Sequence, residues 1–343
     1  MNIHEIGSEF HYIRSNLDNK HLLPLSDVMD YAYTFSGRTA IETVIGNIKD
    51  IKKVLLPSYC CESMIIPFLS NNIKIEFYNI FWDNRLNVCL DIHNDVDLIL
   101  WCNYFGFNYE MPDFKAFIDR GGIIIEDITH SFLSKKPYDF QSQYIVASVR
   151  KWFPLVSGGY CASLVGKLIN KPNKHVSDEY IKTKKRAMKQ KALYLENNDD
   201  CMKEQYLEDF SWSNHWLADN YSKMKIDQYS EDYLKSVDIE SIKMRRLQNA
   251  SLIYKYLNAQ TAIRPIFNEN QMDCPLFIPI ICKTKIERDK LRKKLIDNKI
   301  YCPIHWPKPK YCESNIYDLE MSLICDQRYE QEDIDRMMQI VCD

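Results

Sequence analysis

Short apolar runs alternating with stretches of helical spacing constrain this chain more than any other feature. Val54-Leu55-Leu56-Pro57, Asp97 to Trp101 (DLILW), Ile123-Ile124-Ile125 and Tyr144 to Ser148 read as buried strands. Between and before them lie helical patterns: Ala40, Ile41, Val44, Ile45 and Ile48, then a stretch running to Leu69, then Phe114 to Ile118. Such alternation predicts an α/β fold, a mostly parallel sheet covered by helices. Ligands of such sheets collect beyond the carboxyl ends of the strands. Ser36, Tyr59, Asn103, Asp127 and Lys151 all fall just past the ends of predicted strands.

Three stretches carry candidate chemistry. In Tyr144 to Leu164 (YIVASVRKWFPLVSGGYCASL) a lysine follows an arginine on a turn between two strands, and a glycine pair, Gly158-Gly159, comes after. Desolvation and the Arg150 charge both favour the neutral amine that a nucleophile needs. The glycines would let the backbone pass close to a bound group, although Lys and Arg can equally just cap a loop. Asp127 closes a fully apolar strand, which is costly unless a cation or donor faces it, and His130 could fix its geometry. Capping the next helix is the plainer role for that aspartate. Ser36-Gly37-Arg38-Thr39 breaks a strand at Tyr31 to Phe35 and opens a helix, so its free amides and Arg38 suit an anion. An ordinary N-cap at Ser36 or Thr39 explains the same residues.

At 343 residues the chain predicts two packed units. A net charge of −3 without a basic block gives no support to a nucleic-acid or membrane-surface role. No apolar run approaches the roughly 18 residues that span a bilayer, and MNIHEIGSEFHYIR lacks the layout of a signal peptide. The expected location is the cytoplasm. Of the twelve cysteines none forms a CxxC pair, and Cys302, His305 and Cys312 are too loosely spaced for a metal, so buried hydrophobes and no metal site are expected.

From about Pro172 to Ser251 the chain is charged and long-helical, interrupted by Ser211 to Trp216, which could be a loop at a subunit contact. Asp238 to Leu257 reads as a connecting helix. Pro275 to Ile281 and Ile300 to Ile304 read as strands, Thr284 with Glu287 as a capping box, and Glu332 onward as a final helix. The expected division is a large domain at 1–240 and a small α+β domain at 241–343.

Eight segments in order resemble the DegT/DnrJ/EryC1/StrS family of sugar aminotransferases: IGSEF at Ile6, SGRTA at Ser36, VLLPSYCCES at Val54, NYFG at Asn103, IIEDITHS at Ile124, SVRKWFPLVSGG at Ser148, PIHWP at Pro303 and SLICDQRY at Ser322. The resemblance implies the type I fold of pyridoxal 5′-phosphate enzymes, with a mostly parallel seven-stranded sheet sandwiched by helices. It implies that Lys151 forms the covalent link to the cofactor, that Asp127 pairs with the pyridine nitrogen, and that His130 lies by the ring. Gly37, Arg38, Thr39, Tyr59, Asn103 and Ser148 are the further cofactor-binding candidates. Tyr104, His305 and Arg328 are candidates for the donor carboxylate or the sugar.

The implied reaction moves an amino group, from glutamate by family analogy, to a nucleotide-linked keto-sugar in surface polysaccharide or glycoconjugate biosynthesis. A homodimer with shared active sites is implied as well. Three departures stand out: Val146 where a serine is common five residues before the lysine, Arg38 where a glycine is common, and Tyr59 in place of an aromatic near Cys61. The alternatives are a sugar dehydratase, whose relatives replace the lysine with histidine, and a cofactor-binding or regulatory protein without turnover.

Overall fold

The apolar runs form the centre of an eight-stranded sheet in the computed structural model, which describes residues 5–13, 25, 27–108, 110–260 and 263–343. Part of the polar lead-in before Tyr31 thus lies outside the described residues. After β1 (Ile6–Gly7) come β2 (Asp30–Thr34), α1 (Gly37–Ile45), β3 (Lys53–Pro57), α2 (Glu62–Ser70), and a hairpin of β4 (Lys74–Trp82) with β5 (Leu86–Cys89). Next are β6 (Leu98–Cys102), α3 (Lys115–Asp119), β7 (Ile123–Asp127), β8 (Tyr144–Ala147) and β9 (Gly159–Ser163).

The spatial order is β2-β9-β8-β7-β6-β3-β4-β5. The run from β8 to β4 is parallel, and β2, β9 and β5 are antiparallel to their neighbours. Parallel strands covered on both faces are buried throughout, as β3 and β6 are, and apart from Lys53, which pairs with Glu76 and Asp95, both are apolar. The sheet has one strand more than expected. β5 is an edge strand, half-exposed, and its four residues, LNVC, are too few to carry a periodic signal.

The chain steps from β3 to β4 on one side and returns through β6 to β7 and β8 on the other. That reversal opens a crevice at the carboxyl ends of β3 and β6. Helices α4 (Asp178–Asn197) and α5 (Asp200–Asn220) form a hairpin whose turn places Asn198 in the left-handed conformation at φ 53°. Ser211 to Trp216, expected as a loop, lies inside α5. Trp216 packs on Phe35 and Tyr180, with ring centroids 5.9 and 4.9 Å away, and this burial overrides the weak helix preference of the segment.

Past α6 (Gln228–Ser236) and α7 (Ile239–Asn258), β10 (Arg264–Pro265) and β11 (Ile278–Ile281) lead to α8 (Lys285–Asp297), which opens with the expected Thr284–Glu287 capping box. Then follow β12 (Ile300–Tyr301), α9 (Ile316–Leu319), β13 (Glu320–Leu323) and α10 (Gln331–Cys342). β10, β11 and β13 make a small antiparallel sheet. The strand expected at Ile300 to Ile304 stops after two residues, soon followed by Pro303, which has no N–H to donate. β12 pairs in parallel with β1, so the start of the chain is fastened to its C-terminal part. All twelve cysteines are free. Among the described residues no helix is long and apolar enough to cross a membrane.

Candidate active site

A cavity of about 770 Å³ opens at the carboxyl ends of β6, β7 and β8. Its wall holds six cationic side chains, Arg38, Arg150, Lys151, Lys184, Arg246 and Arg328, against three acidic ones, Glu9, Asp127 and Asp326. This excess of positive charge favours an anionic occupant.

Asp127 and Lys151 reach the cavity from neighbouring strands. Asp127 is the last residue of β7 and stands opposite Val146 of β8. Lys151 ends the single 3-10 turn, Val149–Lys151, that follows β8. Thr129 joins the two: its amide donates to Asp127 Oδ1 at 2.8 Å, its hydroxyl accepts from the Ser148 amide at 2.9 Å, and its carbonyl accepts from the Trp152 indole at 2.6 Å. Burial raises the Asp127 carboxyl above its ordinary value, with the Thr129 hydrogen bonds and the Lys151 charge opposing. A cation or donor facing this acid would favour its charged form.

His130 also lines the cavity, but its Nδ1 accepts from the Phe105 amide at 3.1 Å, so Asp127 takes its geometry from Thr129 instead. Burial, with Lys151 and His305 adding to it, pushes His130 well below its usual value, and the ring is neutral with its proton on Nε2. Trp306 is stacked beside it at a centroid distance of 5.8 Å, and the Lys151 amine lies 5.7 Å from the Trp306 ring centre.

Ser36 caps α1 by accepting from the Thr39 amide at 3.3 Å, and Gly37 and Arg38 line the cavity with Ser148. Thr39 does not line it; its hydroxyl donates to the Tyr221 carbonyl at 2.8 Å. Arg38 and Arg150 each carry a buried Nε with no acceptor among the described residues. Gly159 is needed by the chain itself rather than by a bound group. A Cβ there would lie 2.2 Å from the Ser36 carbonyl oxygen and 2.3 Å from Thr34 Oγ1, where β2 pairs with β9.

Four further candidates do not reach the cavity wall. Tyr59 is buried in the core against Trp306 and Tyr317, with centroids 5.1 and 5.0 Å away, and its carbonyl accepts from the Tyr104 hydroxyl. Tyr104 is therefore a core residue too. Asn103 makes a 3.5 Å contact to Glu126 behind β7. His305 is held by Ser322 at 3.0 Å and its amide by Glu320 at 2.8 Å. Arg328 does line the cavity. It forms a buried ion pair with Asp326 at 2.7 Å and donates to the carbonyls of Ser8 and Glu9.

Sequence reading missed Thr129, Trp306, Glu9, Lys184 and Arg246. Lys184 of α4, read as part of a solvated face, is buried in an ion pair with Glu9, and Asn214 of α5 donates to the same carboxylate at 2.7 Å. Burial raises Glu9, but Lys184 and Arg150 outweigh it and hold the carboxyl below its ordinary value. Glu9 sits in IGSEF, so that motif was a usable signal; Lys184 offered none.

These residues fit a phosphorylated aromatic cofactor: orphaned guanidinium donors at a helix N-terminus, a buried acid and an amine share one cavity. No sequence profile of a known family matches the chain, and no curated protein matches it. Solved structures match it in fold. The sugar aminotransferase CalS13 from Micromonospora echinospora is 12% identical, with 91% of this chain and 86% of that chain covered at a TM-score of 0.61. PseC from Helicobacter pylori, an aminotransferase involved in the biosynthesis of pseudoaminic acid, is 13% identical over 91% and 85% at 0.62. A DegT DnrJ EryC1 StrS aminotransferase from Brucella abortus is 14% identical over 92% and 85% at 0.61. At such identities the likeness is one of fold, and this chain has the fold of these sugar aminotransferases.

Proposed function

We infer that this protein is an aminotransferase that uses pyridoxal 5′-phosphate to move an amino group from an amino-acid donor, glutamate by resemblance, to a nucleotide-linked keto-sugar. One observation carries the reading: a buried acid ending β7 and an amine on the turn after β8 enter the same cavity at the reversal of the sheet.

Bound there, pyridoxal 5′-phosphate would supply an electron sink through its protonated ring nitrogen. Asp127 holds the proton at that nitrogen, because a carboxylate already raised by burial gains from a cation beside it. Lys151 Nζ would hold the cofactor; once the donor's amino group displaces it, the freed amine would take the proton from the donor's Cα and later deliver one to the sugar carbon that receives the nitrogen. Neutral His130 and Trp306 would present an uncharged wall of stacked rings to the reacting atoms. Ser36, Gly37 and Ser148 border the phosphate end, and Arg328 the end nearer the N-terminal segment.

The reading extends to a homodimer, to the cytoplasm, to a role in surface polysaccharide biosynthesis, and to domains at 1–240 and 241–343. The test is spectroscopic and kinetic. Wild-type protein given the cofactor should show its visible absorbance band, and glutamate should shift that band. Lys151→Ala should lose the band and lower turnover by more than about 10³-fold. Turnover retained by the variant, or a wild-type band that no amino donor moves, would remove the assignment.

A further inference from the structure

Arg38 and Arg150 come together through contact of the elements that carry them. Gly37, the first residue of α1, packs so tightly on the turn after β8 that a Cβ on it would lie 3.1 Å from Ser148 Cβ. Arg38 follows that glycine, and Arg150 lies two residues beyond that serine. Both line the cavity, and each has an Nε buried without an acceptor. Among the described residues neither guanidinium forms an ion pair or hydrogen bond.

Glu9, the cavity carboxylate that the Arg150 charge reaches, is already engaged by Lys184 and Asn214. Burial, and then the Arg150 charge, lower Arg38 from its ordinary value, with Cys61 only partly opposing. Two like charges facing one another with unfilled donors are costly unless an anion bridges them. The planar fork of a guanidinium matches phosphate oxygens, and a dianion satisfies two forks at once.

We propose that Arg38 and Arg150 form a clamp for a phosphate dianion, beside the amides that open α1. The proposal rests on the aminotransferase reading for its choice between two sources: the cofactor's 5′-phosphate, or the diphosphate of the sugar nucleotide. The clamp makes up in charge for the serine hydroxyl that Val146 cannot supply.

The experiment measures affinities of cofactor-free protein for inorganic phosphate, pyridoxal 5′-phosphate, pyridoxal and uridine diphosphate. The proteins are wild type, Arg38→Gln, Arg150→Gln, and Lys115→Ala as a surface control. Inorganic phosphate should bind wild type and compete with the dianion ligand, and each glutamine variant should weaken it about tenfold or more. If the source is the cofactor, the preference for pyridoxal 5′-phosphate over pyridoxal falls about tenfold in each variant, with pyridoxal affinity unchanged. If it is the substrate, uridine diphosphate affinity falls instead. Arg38→Lys and Arg150→Lys, which keep the charge without the fork, should recover part of the loss, a result that misfolding would not give. Phosphate affinity and both preferences unchanged in the glutamine variants would overturn the clamp. A wild type that binds phosphate through these arginines yet never shows cofactor absorbance would overturn the aminotransferase reading and leave the clamp standing.

Discussion

Thr129 accepts the Ser148 amide proton on its hydroxyl at 2.9 Å while its own amide holds Asp127 Oδ1 at 2.8 Å. One threonine thereby fixes the acid at the end of β7 against the turn that presents Lys151. Replacing it with valine keeps the shape and deletes the acceptor, leaving the part-buried Ser148 amide unpaired. Thr129→Val should cost about 1–3 kcal/mol in urea denaturation. It should also slow turnover about tenfold through misplacement of the amine. A variant unchanged in both would show that the strand register alone sets the pair.

Glu126 sits on the other side of β7, buried, with Oε2 accepting from Ser142 at 2.7 Å and from the Asp139 amide at 2.8 Å. Burial lifts its carboxyl from 4.5 to about 7, against these hydrogen bonds. The folded state therefore holds a proton that the unfolded state has lost between about pH 4.5 and 7, and stability falls as pH rises through that window. Glu126→Gln should remove this slope and stabilise the protein by about 1–3 kcal/mol at pH 8, with little effect at pH 4. The Asn103 amide, whose Oδ1 is buried without a partner, can turn to accept from the new side-chain NH₂. Melting curves at the two pH values check it.

His130 gives the opposite sign. Burial holds its folded value well below the ordinary 6.5, so the unfolded chain binds the extra proton and stability falls as pH drops below about 6.5. The ring resonances should not titrate near the ordinary histidine value of about 6.5. His130→Leu should abolish that share of the acid sensitivity and, at neutral pH, cost about 1–3 kcal/mol for the orphaned Phe105 amide. Both are read from NMR titration and urea denaturation.

The two glycines after Lys151 should differ sharply. Gly159→Ala drives a methyl into the Ser36 carbonyl and Thr34 Oγ1, at 2.2 and 2.3 Å, where the Ser36 backbone just past β2 cannot yield. A loss of about 2–4 kcal/mol is expected. Gly158→Ala meets first the Leu155 side chain at 2.9 Å, which can turn aside, and should cost about 1 kcal/mol. Equal costs would mean that the β2–β9 edge is looser than the pairing implies.

The amino-acid sequence by itself determined the parallel sheet and the strand ends that bear Asp127, Ser148 and Lys151. Hydrophobic periodicity and turn chemistry are local, and a residue just past a buried parallel strand has only one end of the sheet to occupy. The same locality explains where the sequence was silent. Tyr59, Tyr104 and His305 stand beside the right motifs, yet packing turns them into the core and gives the cavity wall to Trp306. Lys184 has the spacing of a wet helix face, and the docking of Glu9 from the N-terminal segment and of Phe210 from α5 buries it. Side-chain direction at the cavity depends on partners far away in the chain, and long-range packing energy leaves no mark on neighbouring letters of the sequence.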